Sequence, residues 1–388
     1  MKRIALVTVI ALVASLVNAQ SFKERFSYRG YIKDMRIVSI AQDSNNHAQT
    51  LQQNLLHHRI NMRYQLDTAW ELGLEVRNRA FYGEFLKYAP GYGDLLEVDN
   101  GIVDMNWSWI NAPNFIGHTA IDRLWINYSS KKWELRMGRQ RINWGQNIVW
   151  NPNDLFNALN YADFDYEERP GSDAIKVQRY LKKNRSIEFA YKFTEDFDDA
   201  VFAGLYHFNM KNYDFQLLAG KYRQDIALGV GWAGNIKGSG FKGESTWFKP
   251  TNDSLKQAVL TSISWDMSYA NGVYFLVSGL YNSNGTVDLN KLSTLSGASG
   301  GQLDLKKLMP NKYSLFIQGS GAFNPLVSGS LAAIVAIDLG GVFAMPTISY
   351  SLKQNLDLSL IGQSFLGVVD DKVSALSNAV FLRFKWSY

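Results

Sequence analysis

Residues 258–269 put Val259, Thr261, Ile263, Trp265, Met267 and Tyr269 on one face of an extended chain, with Ser262, Ser264, Asp266 and Ser268 on the other. Strand side chains alternate between faces, so this period of two makes one apolar surface and one polar surface. The pattern recurs along most of the chain in segments of about ten residues separated by turn residues. Ile187, Phe189, Tyr191 and Phe193 alternate with Glu188, Ala190 and Lys192, and Ile226, Leu228, Val230 and Trp232 with Ala227, Gly229, Gly231 and Ala233. A single segment of this kind also suits a soluble β-sandwich. A long succession of them, each able to cross a bilayer when tilted, is far more restrictive.

The connections sharpen the reading. Short ones fall at 66–70, 129–132, 182–185, 211–214, 237–240, 270–273, 323–327 and 353–357, and between them lie others that include long ones at 89–118, 145–172 and 285–311. With a periplasmic N-terminus every long connection lands on the extracellular side, as in single-chain bacterial barrels. The expected fold is therefore an all-β, antiparallel up-and-down transmembrane barrel of about 18 strands. Residues 25–42 and 340–352 alternate poorly, which leaves about 16 as the alternative count.

The two chain ends agree with an exported barrel. Lys2 and Arg3 precede an uncharged apolar run over 4–17, and Val17, Asn18 and Ala19 form a small-residue cleavage site. That order reads as a signal peptide over 1–19, leaving 20–388 as one barrel that starts at Gln20. At the other end Val380, Leu382, Phe384, Trp386 and Tyr388 make an apolar and aromatic face against Arg383, Lys385 and Ser387. This terminal strand resembles the signal by which outer-membrane barrels are handed to the barrel-assembly machinery. An ordinary edge strand of this kind would expose a long hydrophobic edge to stray pairing.

Composition removes other classes. The absence of cysteine excludes a lipidated N-terminus, a disulfide scaffold and a thiolate metal site. Without the two basic residues of the signal, 38 of the 40 Lys plus Arg face 35 Asp plus Glu, a balance that does not suggest nucleic acid as a partner. No later run is long and apolar enough for a helical span. Aromatic residues reach 14%, which suits girdles at two membrane interfaces in contact with outer-membrane lipid.

If the apolar faces meet lipid, the opposite faces line a lumen, and in the early strands these are charged. Arg59, Asn61, Arg63 and Gln65 come from one strand, Glu71, Glu75, Arg77 and Arg79 from the next, and Arg123, Trp125 and Asn127 from a third. Near Gly138 the phase of the next segment changes. A bulge there would turn Arg139 and Arg141 inward and Ile142 and Trp144 outward; without it those arginines face water above the membrane. From residue 273 onward, Tyr274, Leu276, Ser278 and Leu280, then 331–337 and 342–345, carry little charge on either face. Either something apolar fills that side, such as the 285–311 loop, or a partner contacts it.

The loop 145–172 carries Asp154, Asp163, Asp165, Glu167 and Glu168 against the single Arg169, together with Asn147, Asn151, Asn153, Asn157 and Asn160 and five aromatic residues. Its position resembles that of the constriction loop of general porins. The loop is expected to enter the lumen, with Asp163, Asp165, Glu167 or Glu168 pairing with Arg59, Arg63, Arg77, Arg79, Arg139 or Arg141, since unpaired charges crowded into a narrow passage are costly. The alternative is a loop packed over the mouth for stability.

The run Gly138-Arg139-Gln140-Arg141-Ile142-Asn143-Trp144-Gly145, followed by Asn151-Pro152-Asn153-Asp154, resembles a segment of porin-like barrels of the alginate-export type and of related Bacteroidota outer-membrane proteins. The resemblance covers a short part of the chain. It implies a Gram-negative outer membrane and a wide, charged lumen that passes a hydrophilic solute, without a cofactor.

No catalytic motif competes with that expectation. His47, His57, His58, His118 and His207 lie in no G-x-S-x-G context, and the adjacent His57 and His58 point to opposite faces of a strand, so they cannot chelate one metal together. Asp370 with Asp371, or Asp196, Asp198 and Asp199, offer only a weak calcium pattern. Two readings stay open: a channel with a modest bias toward anions, or a structural or receptor barrel with a plugged lumen inside a larger complex or oligomer.

Overall fold

The computed structural model describes residues 24–42, 48–99, 101–157, 171–252, 256–285, 304–369 and 372–388. Among these residues nineteen strands form one antiparallel sheet. In chain order they are β1 (Phe26–Gln42), β2 (Ala48–Gln65), β3 (Trp70–Gly83), β4 (Asn106–Ala112), β5 (Phe115–Ser129), β6 (Trp133–Gln140), β7 (Ser172–Leu181), β8 (Arg185–Lys192), β9 (Val201–Met210) and β10 (Tyr213–Tyr222). The series continues with β11 (Asp225–Ile236), β12 (Ser239–Pro250), β13 (Ala258–Ser268), β14 (Tyr274–Asn282), β15 (Tyr313–Ala322), β16 (Val327–Ala336), β17 (Gly341–Lys353), β18 (Leu356–Val369) and β19 (Lys372–Ser387). Two short helices, α1 (Phe85–Tyr88) and α2 (Tyr92–Glu97), follow β3.

The sheet closes where β1 pairs with β19, from Tyr31 opposite Ser387 to Ala41 opposite Ser377. β4 does not widen the circle. It takes one edge of β5 from Phe115 to Ala120, and β6 takes the same edge from Leu124 to Ser129. Among the described residues the barrel is therefore 18 strands around, as the alternation predicts. Closure pairs β1 with β19, so the 18-strand circle has no end strand open to stray pairing.

All eight short connections join consecutive strands at one end of the barrel. Their chemistry explains their tightness. Lys211 and Asn212 take φ of 52° and 66°, and Lys237 and Gly238 take 51° and 87°, the left-handed pair that matches the twist of a two-residue hairpin. The C-terminus lies at this same end, where Gly30 and Tyr388 exchange two backbone hydrogen bonds of 3.0 Å.

The stretch 89–118, read from sequence as one loop, holds α2, β4 and the start of β5 instead. The cause is the early end of β6 at Gln140, beyond which the edge of β5 needs another partner. β4 supplies it. The poor alternation of 340–352 also has a physical reason: Phe343 and Met345 face an apolar interior there, so β17 is apolar on both sides.

Outside, the alternating residues form the expected apolar band, with Phe189 51%, Ile263 44% and Leu331 58% exposed. Inside, the barrel is divided. β2, β3 and β5 carry charge, whereas the inner residues of β8–β17 build an apolar cluster that includes Ala203, Leu218, Phe248, Leu260, Leu276, Phe316 and Ile334.

Candidate functional site

The chain leaves β6 and folds into the barrel rather than over it. Ile142, Trp144, Val149, Trp150, Leu155 and Phe156 join the apolar cluster of the inner wall, each at most 3% exposed. Trp144 meets Phe156 edge to face at 4.9 Å, and Trp150 meets Phe316 of β15 at 6.4 Å. Leu305, Leu308 and Met309 pack into the same cluster. The uncharged inner face, for which the sequence left open a filling segment such as 285–311 or a partner, is covered from within by the segment after β6 and by the end of the 285–311 connection.

A buried loop must satisfy its own backbone. Asparagine side chains do much of that here. Asn157 Oδ1 accepts the Ile142 amide at 2.8 Å, Asn151 Nδ2 donates to the Asn147 carbonyl at 2.6 Å, and Asn153 Nδ2 donates to the Val230 carbonyl at 3.0 Å. At the centre is Glu244 on the inner face of β12, fully buried. It accepts the backbone amides of Gln146, Asn147 and Asn153 and the side-chain amide of Asn151. One carboxylate thereby fixes both halves of the turn. Further tethers run from Gln216 to the Trp144 carbonyl, from Asn147 to Ser262 and from Trp144 Nε1 to Glu188.

Opposite this loop, β2, β3 and β5 carry the arginines that the alternation predicted. Arg59 donates to Glu75 at 2.7 Å and to Asp122; Arg63 reaches Glu75 at 2.9 Å, Arg77 reaches Asp122 at 2.9 Å, and Arg123 lies 3.7 Å from Glu75. Asp122 escaped the sequence reading because strict alternation turns it away from the lumen. β5 has a bulge against β3: Glu75 faces Arg123 but Val76 faces Ile121, so Asp122 is the extra residue. The bulge puts Asp122 and Arg123 on one side together.

Trp125 sits between two cations, with the Arg63 and Arg136 guanidinium carbons each 4.4 Å from its ring. Gly73 makes the room, since a Cβ there would come within 2.5 Å of the indole. Arg63 is 32% and Arg136 25% exposed, whereas Arg59 is 2% and Arg77 11% exposed. Arg136, absent from the sequence-based set, is thus one of the most accessible cations of this wall.

Around Gly138 the expected bulge is not formed. β6 pairs with β5 and β7 without a shift, and Gly138 instead takes φ of 114°. Arg139 is buried against Asp99 and Asp173, at 2.7 Å from each, while Arg141 is exposed. Ile142 and Trp144 point into the interior cluster, not outward as a bulge would have placed them. The apolar loop needs their burial more than it needs the arginine.

The remaining expectations divide. Glu71 is half-buried on the same face, Arg79 lies over Phe81 at 5.3 Å and within 3.5 Å of His118, and Asp154 is fully buried in the loop. Asp163, Asp165, Glu167 and Glu168 lie outside the described residues. Among the described residues the carboxylates that meet these arginines are Glu75, Asp99, Asp122, Glu134 and Asp173. His57, His58, His118 and His207 stay apart, on contacts with Tyr31, Tyr388, Arg79 and Asp214 respectively.

No protein-family model and no curated protein sequence matches the chain. Solved structures do. A BenF-like porin from Pseudomonas fluorescens Pf-5 superposes with a TM-score of 0.58 at 9% identity, over 94% of this chain and 99% of that one. OccK8 (OprE) of Pseudomonas aeruginosa gives 0.57 at 8%, over 95% and 99%. OpdK of Pseudomonas aeruginosa, solved with vanillate, gives 0.54 at 8%, over 93% and 98%. In its fold, end to end, the chain is similar to these barrels.

Proposed function

We propose that this protein is an outer-membrane, porin-like channel that passes small hydrophilic solutes with a modest preference for anions. The observation that carries the reading is the loop over 141–157, folded inside the barrel and tied to Glu244 opposite a wall of arginines. A loop held there narrows a passage at a fixed place, and the fixed place is where charge discriminates. The preference follows from the count on that wall: Glu75 and Asp122 stand among Arg59, Arg63, Arg77 and Arg123, so cations are in excess. Low-dielectric walls focus such a field and raise the local concentration of anions.

The structural neighbours support the reading through their own descriptions, one as a porin and one as a complex with vanillate, an aromatic carboxylate. In this reading residues 1–19 are a cleaved export signal, the long loops are extracellular and the terminal strand addresses the barrel-assembly machinery. The likeness around 138–154 to alginate-export-type barrels of Bacteroidota names no solute.

Planar bilayers test the proposal. Purified protein should give discrete conductance steps and, under a potassium chloride gradient, a reversal potential of the sign set by chloride. A second reading has its own support: the apolar cluster fills the β8–β17 side of the interior, as a plugged structural or receptor barrel requires. Folded protein that inserts and stays silent would favour that second reading.

A further inference from the structure

The outer face of β1 breaks the apolar band. Tyr31, Lys33 and Met35 point inward and are buried, so Ile32, Asp34, Arg36, Val38 and Ile40 share the outer face, and the pairing of β1 with both neighbours runs without a shift. Ile32, Val38 and Ile40 are 36%, 40% and 44% exposed. The two charges therefore have exposed apolar residues on both sides along their strand. Across the sheet Asp34 faces Phe384 and Leu56, both exposed, and Arg36 faces Leu382 and Asn54. Among the described residues no ion pair or hydrogen bond involves either charge.

One run of polar groups on this face is satisfied within the chain. Thr119 Oγ1 donates to Asn78 Oδ1 at 2.7 Å, Asn78 Nδ2 lies 3.3 Å from His58 Nδ1, and His58 Nε2 lies 2.8 Å from the Tyr388 hydroxyl. That string crosses from the C-terminus to β5 and needs nothing more. Asp34 and Arg36 do. Acyl chains offer no counter-charge, and charges inside a lipid-facing band are costly unless something covers them.

We propose that the outer face of β1 is the contact between two copies of this chain, related by a two-fold axis along the membrane normal, in which each Asp34 pairs with Arg36 of the other copy. The patch carries one charge of each sign on the same strand, so it complements itself, as a two-fold interface requires. Copies inserted the same way round hold these residues at matching depths. The offset between them is two residues, about 7 Å along a strand, which an arginine side chain spans. An unlike partner would have to bring the same two charges that a second copy already carries.

The inference rests on the outer-membrane reading, and its test separates the two. The chain has no cysteine, so a single introduced thiol reports only contacts between copies. Ile32→Cys or Val38→Cys, oxidised in intact outer membranes, should give a band of twice the chain mass on a non-reducing gel. Ile226→Cys on β11 should not. In the Val38→Cys background, Asp34→Arg or Arg36→Asp should each abolish the band, and the two together should restore it. Heat-modifiable migration of each variant shows whether the barrel has folded. If a single reversal fails to fold, the bands from the thiol variants with both charges intact decide. No dimer band from either thiol position in folded protein overturns the proposal, as does a band of another mass or one indifferent to the reversals. Absence of the protein from the outer membrane refutes the earlier reading instead.

Discussion

Glu244 Oε1, on the inner face of β12, accepts the backbone amide of Asn147 at 2.6 Å, across 97 residues of sequence. The contact joins the barrel wall to a loop that begins on the far side of the interior. Both partners are buried, so the bond is not shared with bulk water. Buried donors left without an acceptor cost about 1–3 kcal/mol each. Glu244 serves three backbone amides in the same turn, and its loss is felt by the whole loop.

Replacing Glu244 with alanine should therefore release the loop over 141–157 from β12. In single-channel recordings the expected outcome is a larger and noisier conductance, with little change in the amount of folded barrel. Glu244→Gln keeps one carbonyl acceptor and should fall between the two. Equal conductance in all three proteins would mean that the loop does not set the width of the passage.

The arginine wall should be needed for stability as well as for charge. Asp122 is the shared acceptor of Arg59 and Arg77, and removing one partner of a buried pair typically costs about 3–5 kcal/mol. Asp122→Ala should lower the temperature at which the folded band is lost on a semi-native gel. Glu71→Ala, at a half-buried position of the same face, should shift it much less. Similar shifts in both would remove the distinction drawn between paired and accessible positions.

What the sequence reveals and what it hides follow from range. Strand alternation and turn chemistry are local, so the strand count, the eight tight turns and the inward phase of Arg59, Arg63 and Arg77 are all legible in a linear reading. Asp122 is not, because a bulge in β5 turns two consecutive residues to one side, and nothing in the neighbouring sequence announces it. Glu244 is a single carboxylate on the inner phase of a strand that also carries Lys242 and Thr246. That signal was present, but its partners lie in a distant loop. Asp99 likewise meets Arg139 only because β6 stops early and the chain before β4 comes down beside it. The acidic residues of the loop cluster at 163–168 in the sequence, whereas the described part of the loop is held by asparagine amides and apolar burial.

The C-terminal residue makes two separable contacts. Its backbone closes the barrel against Gly30, and its hydroxyl lies 2.8 Å from His58. Deleting Tyr388, or changing Phe384 and Tyr388 to serine, should reduce the folded barrel recovered from the outer membrane. Tyr388→Phe keeps the aromatic ring and should assemble normally. Gly30→Ala should also reduce assembly, because its Cβ would run into the Arg59 backbone carbonyl as well as the Tyr388 ring, where β1 pairs with both of its neighbours. Normal levels of every variant would mean that the terminal aromatic is not used in assembly.

Charge selection should depend on the accessible cations rather than on all the arginines. Arg63 and Arg136 flank Trp125 and stay partly exposed although they touch Glu75 and Glu134, while Arg59 and Arg77 are buried in their carboxylate pairs. Arg63→Glu reverses one charge at a partly exposed position; it gives up the contact with Glu75 but leaves the Arg59–Asp122–Arg77 pairing in place. It should move the reversal potential under a salt gradient toward cations, and Arg136→Glu should do the same. The displacement should be larger at 0.01 M than at 1 M salt, where the screening length falls from about 30 Å to about 3 Å. Arg77→Glu should instead lower the yield of folded protein, since it buries a carboxylate beside Asp122, whereas the new charge at the more exposed position 63 stays in reach of water. A reversal potential unmoved by Arg63→Glu and Arg136→Glu would place the conducting path elsewhere than along β2, β5 and β6.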